Sequence, residues 1–370
     1  MIKIPDKTSI EKLKENLMRK HRVFQISRQS MGLIITNNCP VGCRHCISDN
    51  KYNLGKEIPL SKLKLRVDKI VAFNSFKIVT LTGGEPFYVF EKLCKLIDYI
   101  TKKKMKTSVV TSAYWASSQE KTRIKIQKLY DAGIYAMAFS VDQYHLEKIP
   151  VSNIANAINI CNEFGIIHSL AVTNSNNKKA DDQLIKSIKK ILPSDVAKSL
   201  KVSNGSMLNS GRAENNKLCE NVDHLNKKDS SLLCHSIGKI ILQNGQLALC
   251  CAADLPKNSP LLVGSIDQEP VAELQKRIQN NYLIPFIEVL GLKEMFKMLK
   301  KRGGDIEFNK NDLHEANICK TCNKLLSNDK YRNYFQEKIK DPEIEKLIAG
   351  RYLLYYGHSY LIKKHAMEGV

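Results

Sequence analysis

Residues 39–46 read CPVGCRHC and lie just after the short apolar run GLIIT at 32–36. Such a run is typical of a buried strand in a parallel sheet. The three thiolates of Cys39, Cys43 and Cys46 can surround one face of a metal centre, and thiolates suit both zinc and iron–sulfur clusters. Structural zinc takes four ligands, and the fourth is missing locally. Two interpretations follow: a cluster with one open metal position, or a zinc knuckle completed by His45 or a distant residue.

The residues around this motif alternate between strand-like and helix-like patterns. Strands are predicted at 32–36, 77–82, 107–111, 135–140, 166–173 and 197–203, and helices at 61–73, 87–103, 117–132, from Pro150 to 164, and at 181–192. This alternation predicts βα units and a parallel sheet. Six units are too few for the usual eight-unit barrel and favour an open, partial barrel.

Further polar and glycine-rich motifs follow other predicted strands. TGGEP at 82–86 ends the second strand, where two glycines let the backbone approach a ligand and Glu85 can accept an ammonium group. A plain strand-to-helix turn is the alternative. Ser140 and Asp142 end the fourth strand, and Thr111 and Ser112 the third. All these motifs are expected at the C-terminal edge of the sheet, which is the functional edge of a parallel barrel.

The CxxxCxxC spacing and the GGEP motif together resemble the radical S-adenosylmethionine (SAM) superfamily. The resemblance covers roughly residues 30–325. It implies that Cys39, Cys43 and Cys46 hold a [4Fe–4S] cluster whose open iron chelates the methionine amine and carboxylate of SAM. The residues that it assigns to SAM are His45, Gly83, Gly84, Glu85, Ser140 and Asp142.

A second group of cysteines lies in the C-terminal third: Cys234, Cys250, Cys319 and Cys322. Residues 240–250 predict a β-hairpin with an Asn-Gly turn, which would carry Cys250 back towards Cys234. From spacing alone, a four-cysteine zinc ribbon and an iron–sulfur site are equally open.

The C-x10-G-x4-C…CxxC pattern resembles the SPASM extension that binds auxiliary [4Fe–4S] clusters. No cysteine follows Cys322, so the pattern is similar to the shortened, one-cluster twitch form. Cys219 stays unassigned as an extra ligand. Cys94 and Cys161 fall on apolar helix positions and are expected to be core residues.

Cys251 immediately follows the predicted ligand Cys250. Adjacent strand residues point to opposite faces, so both are not expected to bind one cluster. Some radical SAM epimerases use a cysteine to return a hydrogen atom to the substrate radical, and we assign Cys251 this catalytic role as a hypothesis. A packing role is the alternative.

The composition limits the class of protein. The 370 residues carry a formal net charge of +21, which favours anionic partners, although the charge is dispersed and also fits a solvated surface. No apolar stretch is long enough to span a bilayer and no signal peptide is evident, so a cytoplasmic location is expected. In a reducing compartment, eleven cysteines indicate metal or catalysis rather than disulfides.

We therefore expect an α/β fold: a partial (β/α)6 barrel of the radical SAM type followed by a small loop- and hairpin-rich cluster-binding domain. The predicted divisions are a helical extension at 1–30, the barrel at 31–205, the auxiliary-cluster domain at 206–330 and a helical tail at 331–370.

The function implied by the resemblance is reductive cleavage of SAM and hydrogen-atom abstraction from a substrate. We expect a ribosomally made peptide, modified by epimerisation or by oxidation and crosslinking. An amino-sugar or cyclitol substrate is the alternative, and a zinc protein that binds nucleic acid is the alternative outside this class. The expected partners are the substrate and an electron donor such as ferredoxin or flavodoxin, with neither membrane nor nucleic acid.

Overall fold

The computed structural model describes residues 29–49, 55–175, 177–219, 232–234, 237–251, 255–301 and 310–356. Nearly all of the predicted N-terminal extension and residues 357–370 of the predicted tail lie outside these ranges. The cysteines of both predicted metal sites lie within them.

The first half of the chain alternates strands and helices, as predicted. The strands are β1 Ser30–Thr36, β2 Ile78–Gly83, β3 Lys106–Thr111, β4 Ala136–Ser140, β5 Ile167–Asn174 and β6 Lys201–Ser206. The helices are α1 Leu60–Ala72, α2 Phe90–Lys102, α3 Gln119–Asp131, α4 Gln143–Leu146, α5 Val151–Glu163, α6 Lys178–Lys190 and α7 Ser194–Ser199, and a 3-10 turn at Pro86–Val89 precedes α2.

The C-terminal half contains a hairpin, a further strand and several helices. Its strands are β7 Ile237–Ile241, β8 Gln246–Cys250 and β9 Leu262–Ser265. Its helices are α8 Arg212–Asn215, α9 Val271–Gln279, α10 Leu283–Pro285, α11 Leu292–Lys301, α12 Ile318–Ser327, α13 Asp329–Lys338 and α14 Pro342–Tyr356. A π-helical segment, Phe286–Leu290, joins α10 to α11, and 3-10 turns at Lys310–Leu313 and Glu315–Asn317 precede α12.

All nine described strands form one open sheet in the order β6-β5-β4-β3-β2-β1-β7-β8-β9. Strands β1 to β6 are parallel to their neighbours, β7 pairs parallel with β1, and β8 and β9 add antiparallel strands. The predicted α/β fold with a partial barrel is thus confirmed. The predicted hairpin is also present, and it extends the barrel's own sheet beyond β1. The division into four domains stays a prediction.

Alternation along β1 explains which side of the sheet is packed. Met31, Leu33 and Ile35 have no exposed surface, and they belong to one apolar cluster that continues into the C-terminal half. The alternate residue Ile34 points to the other face, where it lines a cavity. Strand β1 therefore has one face for the core and one for the site.

Two segments differ from the sequence prediction. The predicted strand at 197–203 begins later, at Lys201, because Pro193 opens the short helix α7 instead. Residues 255–327 contain more helix than the loop-rich pattern indicated. In the described residues, no helix combines the length and apolarity needed to cross a membrane.

Candidate active site

A cavity of about 450 Å³ opens where the parallel strands end. Each of β2 to β6 contributes a residue from its C-terminal end, and the CxxxCxxC loop forms one wall. The predicted site residues that line it are Cys39, Cys43, His45, Cys46, Gly83, Gly84, Glu85, Ser140 and Cys251. A larger depression of about 770 Å³ lies among the C-terminal helices, near Tyr334 and Asp341, away from these residues.

The CxxxCxxC loop is fixed in place by the segment that follows β6. Arg212 donates its backbone N–H to the carbonyl of Cys46 at 2.9 Å and its Nε–H to the carbonyl of Cys43 at 2.8 Å. A Cβ on Gly211 would lie 2.6 Å from the Cys46 carbonyl oxygen, so only glycine allows this approach. Arg212 also lines the cavity, so one residue both positions the loop and forms part of the wall, with its Nη1 3.6 Å from the Asp49 carboxylate.

The two glycines of TGGEP bring the end of β2 against the start of the same loop. A Cβ on Gly84 would lie 2.2 Å from the Asn38 carbonyl oxygen, and one on Gly83 would lie 2.1 Å from the Thr36 carbonyl oxygen. Gly84 also donates its N–H to that Thr36 carbonyl at 2.8 Å. The glycines therefore let two strand ends meet beside the cysteines, which a simple turn does not require.

Glu85 is 1% exposed, and its carboxylate accepts hydrogen bonds from several protein donors. Thr111 Oγ1 donates to Oε1 at 2.7 Å, while the N–H and hydroxyl of Ser112 donate to Oε2 at 2.9 and 2.6 Å. Burial raises the pKa of Glu85 despite these hydrogen bonds. The carboxylate ties the end of β2 to the end of β3, and an ammonium group would have to share it with these donors.

Asp142 is fully buried and lies behind the cavity wall, where two imidazoles share its carboxylate. Oδ2 lies 2.8 Å from His145 Nδ1 and 3.1 Å from His45 Nε2, while Oδ1 accepts the N–H groups of Tyr144 and His145. Burial alone would raise the pKa of Asp142, but the two histidines lower it well below its usual range. The carboxylate therefore orients two rings in this structure, and its predicted role in binding SAM stays a prediction.

His145 connects this carboxylate to the CxxxCxxC loop. Burial opposes protonation of its ring, yet hydrogen bonds with Asp142 and the Cys43 thiol raise the pKa of His145 to about 10. His145 lines the cavity beside Cys43. Its ring also packs edge-on against His45 at a centroid distance of 4.9 Å.

The residues present suit a [4Fe–4S] cluster with bound SAM. Within the part of the chain that the structure describes, His45 Nδ1 is buried with no hydrogen-bond partner, so this nitrogen is open to a ligand's polar group. Burial raises the pKa of the Cys39 thiol to about 11, and the nearby Glu85 carboxylate adds to the effect. Such a thiol becomes a ligand when a cationic metal centre stabilises its thiolate.

One compact set of three possible metal ligands lies beside the cavity. Across the described ranges, His45, Asp142 and His145 form the one such set whose ligand atoms all lie within 4.8 Å of one another. The described cysteines of neither group form a set that compact.

The second cysteine group also comes together in part. Burial raises the pKa of the Cys322 thiol, and the proximity of Cys234 and Cys319 raises it further. Cys250 ends β8 opposite Ile237, three residues beyond Cys234. Cys234, Cys250 and Cys322 pack against the main apolar cluster.

Cys251, directly after the end of β8, lies in a different environment from this group. It is exposed and lines the cavity that contains the CxxxCxxC cysteines. The neighbouring Cys250 is half-buried. The two adjacent cysteines therefore face different environments, as expected from the alternation of side chains along a strand: Cys250 packs against the apolar cluster and Cys251 lines the cavity.

Sequence reasoning did not assign His145 or Arg212 to the site. Both lie in motifs that the sequence presents, His145 three residues after Asp142 and Arg212 directly after Gly211. The positive φ of Gly211, +56°, marks a close backbone approach that a glycine in a loop can indicate.

Cys161 is fully buried against Met137, as predicted for a core residue, while Cys94 is half-buried at the edge of the core.

Comparison with known families and proteins gives three kinds of similarity. Residues 33–176 match the family model described as the radical SAM superfamily. The chain is 19% identical over 312 residues to a Bacillus subtilis (strain 168) protein, YydG, which is provisionally named a peptide biosynthesis protein; the alignment covers 83% of this chain and 95% of that protein.

Solved structures match this chain with low scores. anSMEcpe with bound AdoMet and Cp18Cys peptide has a TM-score of 0.45 and 13% identity, covering 87% of this chain and 99% of that one. Streptococcus suis SuiB bound to its precursor peptide SuiA has a TM-score of 0.35 and 14% identity, covering 68% and 66%. BtrN in complex with AdoMet and 2-DOIA has a TM-score of 0.42 and 13% identity, covering 73% and 89%. At such scores these likenesses carry no argument about substrate.

Proposed function

We propose that this chain, whose residues 33–176 form a radical SAM domain, uses SAM to start radical chemistry on a peptide. The observation that carries the proposal is that Cys39, Cys43, Cys46 and Cys251 line one cavity at the C-terminal edge of the sheet. Cys39, Cys43 and Cys46 would hold the cluster. When bound, the cluster and SAM supply a 5′-deoxyadenosyl radical that takes a hydrogen atom from the substrate.

The protein's own residues have three tasks in this proposal. Gly83 and Gly84 keep the β2 edge close enough for backbone groups to meet the methionine end of SAM. His45, held by Asp142, would present its buried Nδ1 to the nucleoside end. Ser140 adds a polar group at the end of β4.

A peptide is the proposed substrate because the similar Bacillus subtilis protein, matched over 95% of its length, carries a peptide biosynthesis name. The net charge of +21 supports an acidic partner such as a leader peptide. The electron that starts each turnover would come from a low-potential one-electron donor of the ferredoxin or flavodoxin class.

Epimerisation is the outcome that the position of Cys251 favours. The substrate carbon loses a hydrogen atom to the nucleoside radical and then receives one from the Cys251 S–H on the other face. The S–H bond breaks, a C–H bond forms, and the resulting sulfur radical takes one electron from the electron donor and one proton from water. Substrate and product have the same mass in ordinary water.

Cys234, Cys250, Cys319 and Cys322 would hold an auxiliary [4Fe–4S] cluster in this proposal. Because Cys250 adjoins Cys251 in the chain, such a cluster would lie next to the proposed hydrogen donor and could carry electrons to it. The same cluster would accept an electron if the reaction were instead an oxidation.

The test uses short peptides encoded beside the gene, incubated without oxygen with the reconstituted enzyme, SAM and dithionite in heavy water. An epimerase places one deuterium at the inverted carbon, because thiol protons exchange with solvent. Cys251→Ala should abolish inversion while 5′-deoxyadenosine still forms. A product lighter by two hydrogens, or normal product from Cys251→Ala, would refute the hydrogen-donor role. Cys94→Ala serves as the control, because Cys94 lies outside the cavity.

A further inference from the structure

Strand β6 stands at one edge of the sheet with little cover. In the part of the chain that the structure describes, β6 hydrogen-bonds to β5 on one side and has no strand on the other. Five of its six residues are exposed; Val202 is half-buried. The space beside Gly205 is open, with no heavy atom within 4 Å of where its Cβ would be.

This edge lacks the usual protection against pairing. Its register with β5 runs without a break from Ser169 opposite Lys201 to Asn174 opposite Ser206, so no bulge twists it away. The strand sequence, KVSNGS, has no proline and a single charged residue. An exposed, regular edge presents unpaired N–H and C=O groups and is a template for an added strand.

The edge leads directly into the cavity. Ser206, at the end of β6, lines the cavity, and so do the next two residues, Met207 and Leu208. Gly205 lies opposite Thr173, another lining residue, so the two share a face of the sheet. A chain laid along β6 would therefore arrive at the cavity that Cys251 and the CxxxCxxC loop line.

We propose that the substrate peptide docks by adding a strand to the free edge of β6 and thereby delivers its reactive residue into the cavity. This rests on the proposed function, since it takes the substrate to be a peptide. Pairing through backbone groups suits a peptide because every residue supplies the same donor and acceptor, while side chains add specificity. The small side chains of Ser203, Asn204 and Gly205 leave room for those of the peptide.

The charges near β6 indicate which part of the peptide would lie at each end of the strand. The end of β6 remote from the cavity carries exposed Lys201, and exposed Lys198 lies just before it on α7, with Asp195 as the nearby opposite charge. An acidic segment of the peptide would lie at this end, and the modified residue at the cavity end. Since a leader precedes the residue that is modified and β6 spans about 17 Å at about 3.3 Å per residue, the acidic segment should precede the modified residue by about five to seven positions. The peptide would then run parallel to β6.

The experiment uses a random 12-residue peptide library displayed on phage, selected without oxygen on the full-length reconstituted enzyme with SAM. The enriched peptides are synthesised and their binding is followed by amide hydrogen exchange. We expect about half of the β6 amides to gain protection. The N–H groups of alternate β6 residues point away from β5, and these are the ones that an added strand would bind. Acidic residues should be enriched in the N-terminal half of the selected peptides.

A charge-reversal pair tests the direction. K198E with K201E should weaken binding by about tenfold, whereas K95E with K121E, the same charge change on α2 and α3, should have little effect. Equal effects of the two pairs, or peptide binding with β6 amides unprotected, would refute docking on β6 but leave a peptide substrate standing. Protection of the β6 amides that face away from β5 in the free enzyme would also refute it, since another part of the chain would then cover the edge. Enrichment of no peptide would refute the peptide substrate itself, and the docking with it.

Discussion

Replacing Asp267 by Asn should strongly destabilise the junction between the barrel and the hairpin that carries Cys251. Arg66 on α1 is 1% exposed, and its Nε–H and Nη2–H donate to the Asp267 carboxylate at 2.8 and 2.7 Å. The same guanidinium donates to the carbonyls of Leu242 at 3.3 Å and Gln243 at 3.0 Å, in the turn between β7 and β8. The ion pair thus anchors this turn to the first barrel helix.

The expected loss follows from the burial of the cation. Removing one partner of a buried ion pair leaves an uncompensated charge and costs about 3–5 kcal/mol. The Asp267 side chain is 18% exposed and two carbonyls still solvate the guanidinium, so we expect about 3 kcal/mol. Lys62 approaches the same carboxylate at 3.1 Å, but its side chain is 49% exposed, so Lys62→Ala should cost less than about 1 kcal/mol.

The assay is urea unfolding without oxygen, followed by the fluorescence of Trp115, the one tryptophan of the chain. Trp115 is buried and stacks on Phe87 inside the barrel, so its signal reports barrel unfolding. Adding Arg66→Met to the Asp267→Asn variant should recover stability, because the unpaired charge is removed. If Asp267→Asn lay within about 1 kcal/mol of the unchanged protein, the assignment of this pair as a buried anchor would be wrong.

The remaining predictions concern pH, the auxiliary site and the glycine turn. Hydrogen bonds from Arg66 lower the pKa of Asp267. The contribution of Asp267 to stability is therefore complete above its unfolded pKa of about 3.9 and is lost as the pH falls through the lower, folded pKa. Below about pH 4, the urea concentration at the unfolding midpoint should decrease with falling pH, and more steeply in the unchanged protein than in Asp267→Asn. Replacing Cys319 and Cys322 by Ala should lower bound iron by about half if two clusters of equal size are present, and unchanged iron would exclude the CxxC as a cluster ligand. Gly84→Ala should reduce cluster loading, because its Cβ would lie 2.2 Å from a backbone oxygen. Gly350→Ala is the control: Gly350 lies in open space, so its replacement should leave the iron content unchanged. Equal iron content in the two variants would refute the argument that Gly84 is needed for the close approach.

The barrel was predictable because its signals are local. Apolar runs of strand length alternate with helical periods, and the strand bounds differ from prediction by a residue or two up to Thr173. The one shifted strand illustrates the limit: residues 196–202 hold apolar side chains at spacings that fit either a helix or a strand. Pro193, a helix-start signal, decided the outcome.

The place of Asp142 was not predictable, because its partner His45 lies far away in sequence. A polar residue at a strand end indicates the functional edge, but only the packed structure reveals whether it faces a ligand or a neighbouring side chain. The parallel pairing of β7 with β1 is equally non-local, since about thirty residues separate β6 from β7 and no short-range pattern spans them. The exposure of Cys251 to the cavity, in contrast, agrees with the local alternation expected after Cys250, while its catalytic role stays a prediction.

The most direct test of the account is SAM cleavage by the anaerobically reconstituted enzyme, measured as 5′-deoxyadenosine after dithionite is added. The unchanged protein should be brown, contain iron and form 5′-deoxyadenosine. The variant with Cys39, Cys43 and Cys46 all replaced by Ala should form none while keeping the iron of its auxiliary site. A colourless protein with stoichiometric zinc, or undiminished 5′-deoxyadenosine from the triple variant, would contradict the assignment of this site.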